Sequence, residues 1–292
     1  MASDGRYRDG GGLARSVALV GSLTEVMPQD ADRNVSRIYA DMQETLRVPF
    51  VNQIFRLLAG DPDYLQAAWG YVGPIAESRA FEEAATALRD AARIDPGPAA
   101  EADWAALGDL ERVRRFTESI HYVLPKLLLV VTLLDPAVRW PAGGMSDTGG
   151  TIPKGIAPDS EKIEMVDPTT AEERLRSLFE EIRVAHGHPA LASYFRSLGQ
   201  WPDLLAAIWA RLAPFLGESG YDARRGPLIA RAAELSANLA TEQGPPTPSG
   251  KAAAALAVFR QRVIPDLLID VTIVRAMLDG PAADGANRLV AP

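Results

Sequence analysis

The sequence predicts an all-α protein with two tandem, pseudo-symmetric helical repeats packed around a central cavity. Two observations lead to this prediction: the chain aligns with itself at one fixed offset, and both aligned halves carry apolar residues at helical spacing. Composition adds a third. Apolar residues make up 47% of the chain and charged residues 23%, which is typical of a globular protein and excludes wholesale disorder.

The self-alignment has an offset of 140 residues and runs from Val26 against Val166 to Thr132 against Thr272. Chance matches would scatter over many offsets, so a single offset indicates a duplication. The matched pairs include Pro28 with Pro168, Pro49 with Pro189, Phe55-Arg56 with Phe195-Arg196, Trp69 with Trp209, and Pro125 with Pro265. We expect an N-terminal tail (1–25), a first repeat (26–135), a Pro/Gly-rich linker crossing the surface (136–165), a second repeat (166–279) and a C-terminal tail (280–292).

The helices are predicted in chain order. The first in each repeat follows from apolar spacing, at Val35, Ile38, Tyr39, Met42 and Leu46 and again at Leu175, Leu178, Phe179 and Ile182. Pro49 and Pro189 are expected to open short helices whose first turns face the cavity. Asp61-Pro62 and Trp201-Pro202 mark the next helix starts. Alanine-rich helices are predicted over 81–94 and 224–239, followed by helices that begin or kink at Pro125 and Pro265.

Bulk composition excludes several classes of function. The net charge of −8 gives no electrostatic footprint for nucleic acid or anionic membranes. The absence of cysteine excludes disulfides and thiolate chemistry, so the cytoplasm is the expected compartment. The longest apolar stretch, residues 123–134, is too short to span a bilayer and predicts a buried helix. The partner indicated is a small molecule, and a homodimer is left open.

Polar differences between matched positions are the candidate site residues, because shared residues are explained by shared packing. Asn52-Gln53-Ile54 in the first repeat stands against Ala192-Ser193-Tyr194 in the second, at the expected cavity-facing turns. The alternative is that Gln53 and Tyr194 only bond neighbouring backbone.

Three further candidates have structural alternatives of their own. Asp270 replaces Val130 of the first repeat and could act as a base with a raised pKa, or belong to a solvated stripe with Arg262 and Asp266. His121 could titrate near an apolar core, or be a satisfied structural histidine. His186 and His188 could hold a metal only with a third ligand; we therefore predict no metal site and regard them as solvent-facing loop residues.

With these residues in view, the chain resembles the group I 2-haloacid dehalogenases over roughly residues 30–280. The resemblance lies in five segments: Thr45-Leu46-Arg47-Val48-Pro49, Pro125-Lys126, Ser193-Tyr194-Phe195, Gln200-Trp201-Pro202 and Leu278-Asp279-Gly280. It implies an all-α fold with two pseudo-symmetric repeats and cofactor-free hydrolysis of 2-haloalkanoic acids, with an aspartate activating water.

Carried over by position, the family's catalytic aspartate corresponds to Tyr194, and the serine before it is retained as Ser193. Other site positions correspond to Phe50, Gln53, Leu124 and Leu127. A tyrosine with a pKa near 10 is protonated at neutral pH and suits hydrogen-bond donation better than base catalysis.

The sequence therefore predicts a dehalogenase-like enzyme with a remodelled site. It would act without a cofactor on a small carboxylate-bearing or apolar ligand, by substitution, elimination, cyclisation or isomerisation. One alternative is a hydrolytic 2-haloacid dehalogenase that uses another base, such as Asp270. The other is a non-catalytic ligand-binding protein.

Overall fold

The computed structural model describes residues 12–94, 103–138, 149–217, 219–280, 283 and 287–290. These residues form an all-α fold, as predicted. Its α-helices are α1 (Gly12–Gly21), α2 (Arg33–Leu46), α3 (Gln53–Leu58), α4 (Pro62–Ala76), α5 (Arg79–Ala91), α6 (Leu110–Leu134), α7 (Glu173–His186), α8 (Ser193–Leu198), α9 (Pro202–Gly217), α10 (Ser219–Ala237), α11 (Gly250–Val258) and α12 (Ile264–Asp279).

The two halves of the fold place equivalent helices at the offset found in the sequence. Helices α2 and α7 begin 140 residues apart, at 33 and 173, and α3 and α8 do the same, at 53 and 193. Both α2 and α7 end in a left-handed residue, Arg47 (φ 66°) and Gly187 (φ 64°). Matching tertiary contacts follow, since the indole N–H of Trp69 donates to Asp41 and that of Trp209 donates to Glu181. These features support the duplication, which remains a prediction.

Pro49, Pro189 and Pro125 differ from the expectations, whereas Pro62, Pro202 and Pro265 lie at helix starts as predicted. Pro49 and Pro189 do not open helices: each lies in a turn, and α3 and α8 begin four residues later. Pro125 lies inside one continuous helix, α6. Pro265 is in the first turn of α12, directly after a π-helical segment, Phe259–Val263, that widens the backbone at the proline.

The core of the molecule is formed by α6 and α12, which pack against each other and against the helices around them. In α6 every residue from Thr117 to Leu134 is buried. Of the described helices, α6 alone has the length and apolar composition to cross a membrane, and its apolar stretch is fully enclosed by the other helices. Its hydrophobicity is therefore explained by its central position, as predicted for residues 123–134.

The described parts of the tails and of the linker pack on the helices of the two halves. Residues 1–11 lie outside the described part, but residues 12–21 form α1, which packs on α11 instead of fraying. At the other end, Asn287 donates its side-chain amide to the backbone oxygen of Glu118 on α6. The described part of the linker, from 149, runs along the first half through backbone bonds such as Ile152 to Glu77. Apolar side chains in these segments dock on the helices and hold them.

Gly199, at the end of α8, is a position where the second half is packed more tightly than the first. A Cβ there would lie 2.5 Å from Cζ of the buried Phe179, although Ala59 occupies the equivalent position of the first half. We expect Gly199→Ala to lower the free energy of unfolding by about 1–3 kcal/mol through overpacking. Gly70→Ala on α4, where a Cβ meets open space, should raise it by about 0.5–1 kcal/mol. Urea unfolding measures both, and a neutral Gly199→Ala would contradict the packing described.

Candidate active site

A cavity of about 200 Å³ lies between the two halves. The first turns of α3 and α8 contribute to its wall, together with α6, the π-helical segment and the start of α12. Six of the predicted site residues line it: Phe50, Gln53, Leu124, Leu127, Ser193 and Tyr194. The cavity is smaller than the roughly 300–1,000 Å³ of sites for drug-sized ligands, so it suits a small molecule.

Tyr194 lies in the wall of this cavity, in the first turn of α8. Its ring stacks on Phe116 with centroids 5.7 Å apart, and its hydroxyl lies 3.1 Å from the hydroxyl of Thr117. Burial raises the pKa of Tyr194 well above its ordinary value, and the charge of Asp270 adds to this, while the Thr117 bond opposes it. The phenol is therefore neutral at physiological pH and can donate a hydrogen bond but cannot accept a proton as a base.

The apolar part of the wall comes from α6 and the loop before α3. Phe50 meets Phe116 edge to face with centroids 6.2 Å apart, and Leu124 and Leu127 lie about two and three turns further along α6. Such a surface excludes water from a bound ligand and strengthens the electrostatic interactions made at the polar wall. Part of the cavity can thus hold the apolar portion of a small molecule.

A polar wall is formed by Gln53 and Ser193 together with Arg56, which the sequence analysis did not select. The amide of Gln53 donates to Glu25 (2.9 Å), so it does bond a neighbouring group, although that partner is a side chain. Arg56 is 4% exposed and donates to Ser193 Oγ (2.8 Å) across the boundary between the halves. Because Arg196 matches Arg56 in the repeat, the sequence indicated only shared packing.

Asp270 is fully buried but is not among the residues that line the cavity. Its oxygens accept from Tyr221 (2.9 Å) and from His186 Nε2 (2.8 Å). Asp266, one turn earlier, accepts from His188 and Arg225, so the solvated stripe with Arg262 is not what the helix presents. The i, i+4 spacing correctly placed the two carboxylates on one face, but that face is turned toward α7 and α10.

The histidines of this cluster were expected at the surface, and that expectation is wrong: His186 and His188 are 7% and 4% exposed. Burial alone would lower the pKa of His186, but the charge and hydrogen bond of Asp270 raise it above its ordinary value. Burial lowers the pKa of His188, with His186 acting in the same direction. Among the described residues, no group of three or more His, Cys, Asp or Glu is placed to hold a metal ion.

His121 also lies away from the cavity. It is buried on α6, with Nδ1 3.2 Å from the amide of Asn287 in the C-terminal segment. Burial lowers its pKa well below the ordinary value, and the charge of Arg275 adds to this. This is the satisfied structural histidine that the sequence analysis named as the alternative to a titrating group.

The linker contributes to the cavity, which the sequence did not indicate. Residues 162–165 form part of its wall, held by the bond from Ser197 Oγ to the backbone oxygen of Ile163 (2.9 Å). Glu164 is the one carboxylate among the described residues that line the cavity. It is exposed and pairs with Lys162 at 2.7 Å. A Pro/Gly-rich connection carries no periodic pattern, so its packing could not be predicted from local sequence.

Comparison with known proteins identifies the family. The family model described as "Halocarboxylic acid dehydrogenase DehI" matches residues 49–195. A configuration-inverting 2-haloacid dehalogenase of Alcaligenes xylosoxydans xylosoxydans is 32% identical over 275 residues, which cover 87% of this chain and 93% of that protein. The chain belongs to the DehI family of 2-haloacid dehalogenases. An (R)-2-haloacid dehalogenase of Pseudomonas putida is 25% identical over 219 residues, 69% of this chain and 71% of that one.

Solved structures agree with the DehI fold. A D-2-haloacid dehalogenase in complex with L-LA has a TM-score of 0.76 at 22% identity, covering 88% of this chain and 96% of that one. A mutant of a D-2-haloacid dehalogenase with D-2-CPA has a TM-score of 0.75 with the same coverage. At this identity the likeness concerns the fold alone.

Proposed function

We propose that this protein is a cofactor-free, hydrolytic 2-haloacid dehalogenase that binds a small 2-halocarboxylic acid in the cavity between its halves. The supporting observation is that the cavity is lined by the residues matched to the family's site, in a chain that aligns with 93% of a configuration-inverting dehalogenase. This departs from the sequence prediction of a remodelled reaction, because full-length similarity favours the hydrolytic alternative.

The reaction replaces halide with water at C2. A C2–O bond forms as the C2–halogen bond breaks, attack from the face opposite the halogen inverts the configuration, and the products are a 2-hydroxy acid and halide. The apolar wall of Phe50, Leu124 and Leu127 would hold the hydrocarbon portion. The first turn of α8, which holds Ser193 and Tyr194, would contact the polar end of the substrate.

The water must lose a proton, and Tyr194 stands at the position matched to the family's aspartate. Since its phenol is neutral, another group has to accept the proton. Glu164 is the carboxylate with access to the cavity, whereas Asp270 lies behind Tyr194 with both oxygens engaged. Glu164 is the better candidate, and because it is exposed and paired with Lys162, we expect turnover below that of an aspartate-bearing relative by about 10²–10⁴-fold.

Halide release from each enantiomer of 2-chloropropionate tests this function. We expect slow, stoichiometric formation of chloride and lactate of inverted configuration, reduced in Glu164→Gln and unchanged in Glu234→Gln on the surface of α10. Ion chromatography measures chloride, and chiral chromatography measures lactate. An absence of chloride from both enantiomers would refute hydrolysis.

A second candidate is the remodelled reaction, favoured by one observation: a neutral, buried phenol bonded to Thr117 occupies the position of the base. In this case Tyr194 would donate to a leaving group or oxyanion during elimination, intramolecular substitution or isomerisation. Acrylate instead of lactate in the same assay would favour it. The cytoplasmic location and an assembly as a homodimer remain predictions.

A further inference from the structure

Behind the polar wall of the cavity, two guanidinium groups share one carboxylate. Arg56 Nε lies 2.6 Å from Glu25 Oε2, and Arg196 Nη1 lies 3.9 Å from Glu25 Oε1. Two positive charges against one negative charge leave an excess of one. Asp167 acts on Arg196 from the surface, where water screens it, and Lys162 and Glu164 at the cavity mouth neutralise each other. The wall therefore has a positive potential toward the cavity.

Arg56 acts on the cavity through Ser193, because it donates a hydrogen bond to the serine hydroxyl and polarises it. The guanidinium donates from Nη2 to Ser193 Oγ (2.8 Å), so the serine oxygen is an acceptor on that side. A guanidinium has no lone pair that accepts a hydrogen bond, so Ser193 cannot donate its hydroxyl proton to Arg56. Both residues line the cavity, so this proton is available to a ligand there, polarised by a neighbouring cation.

We propose that Arg56 and Ser193 form the subsite for the carboxylate of a small monocarboxylic acid, with Glu25 limiting its affinity. Arg56 is the residue that determines specificity for an acid over a neutral analogue, and Ser193 makes the contact. This assignment rests on the proposed function for the class of ligand. It differs from the sequence interpretation, in which Phe55-Arg56 and Phe195-Arg196 are a shared packing motif.

The asymmetry between the two arginines supports the assignment. Arg196 lies at the position of Arg56 in the second half, yet it donates to the backbone oxygen of Val166 (3.4 Å) and is not among the residues that line the cavity. Burial lowers the pKa of Arg196, with Glu25 opposing this and Arg56 adding to it, as expected for two cations in one environment. Of the two arginines, only Arg56 lines the cavity, where its positive charge can act on a ligand.

Equilibrium binding of propionate and propionamide to the whole protein tests the subsite without any turnover. The two probes have nearly the same size and differ in charge. We expect propionate to bind at least tenfold more tightly than propionamide, and Arg56→Met and Ser193→Ala to weaken propionate at least tenfold while leaving propionamide within threefold. Arg174→Met removes one exposed positive charge on α7 and should change neither. Isothermal titration calorimetry measures all affinities.

Glu25→Gln distinguishes an electrostatic subsite from a structural network. Removing the negative charge should tighten propionate binding several-fold, whereas loss of a merely structural contact would weaken it. Equal affinity for the two probes, or Arg56→Met and Glu25→Gln changing propionate affinity in the same direction, would overturn the assignment. If Arg56→Met does not fold, as judged by circular dichroism, Ser193→Ala and Glu25→Gln still decide. Chloride release without charge discrimination would refute the subsite alone, and discrimination without chloride release would refute hydrolysis alone.

Discussion

Replacing Tyr194 with aspartate is expected to raise the rate of chloride release from 2-chloropropionate by about 10²–10⁴-fold, the range that a general base supplies. The side chain at this position is in the cavity wall and next to Thr117, so a carboxylate there would reach a water held beside the substrate. Burial and the nearby Asp270 would raise the pKa of the new carboxyl group. Its rate should therefore increase with pH as that group ionises.

The matched control is Tyr194→Phe, which keeps the ring stacked on Phe116 and removes the hydroxyl. If hydrolysis is the native reaction and Tyr194 only orients the substrate, Tyr194→Phe should retain most of the native chloride release. Chloride release that stays at the native level in Tyr194→Asp would contradict the position assigned to the base. The measurement is kcat for both enantiomers between pH 5 and pH 9.

Replacing Asp270 with asparagine should have the largest effect on stability, because it breaks a buried pair. Asp270 has no exposed surface and holds His186 and Tyr221. Removing one partner of a buried ion pair costs about 3–5 kcal/mol. We expect Asp270→Asn to lower the free energy of unfolding by this amount at acidic pH, with its effect on catalysis following from stability and not from loss of a base.

The pH dependence of this effect has a defined sign. The pKa of His186 is raised in the folded protein, so its contribution to stability is complete below about pH 6.5 and is lost as the pH rises through the folded pKa. The cost of Asp270→Asn should therefore shrink between pH 6 and pH 9. Glu234→Gln, in an exposed pair with Arg231 on α10, should cost less than about 1 kcal/mol at either pH. Equal urea midpoints for the two variants would contradict this account.

Local patterns in the sequence, with the family resemblance, predicted most of the helices and six of the residues that line the cavity. Apolar spacing around Val35 and Leu175 indicated where α2 and α7 lie, and the 140-residue offset placed Gln53 and Ser193 at matched positions expected to face the cavity. Such features are encoded in neighbouring residues, because helix propensity and amphipathic spacing act over a few turns. Of the six predicted residues that line the cavity, Gln53, Ser193 and Tyr194 came from the comparison of the repeats, and Phe50, Leu124 and Leu127 from the resemblance to the family.

The tertiary structure alone decided which charges are buried and which of them reach the cavity. From the sequence, Asp270 was predicted on a helix face and His186 in a loop. The two residues are 84 positions apart in the chain, yet their side chains form a hydrogen bond in the core. Arg56 and Arg196 each follow a phenylalanine at matched positions of the two repeats, yet of the two only Arg56 contacts Ser193, 137 residues away. Whether a charged side chain is solvated, paired or directed at a ligand depends on the helices that pack around it. No periodicity within one segment records that packing.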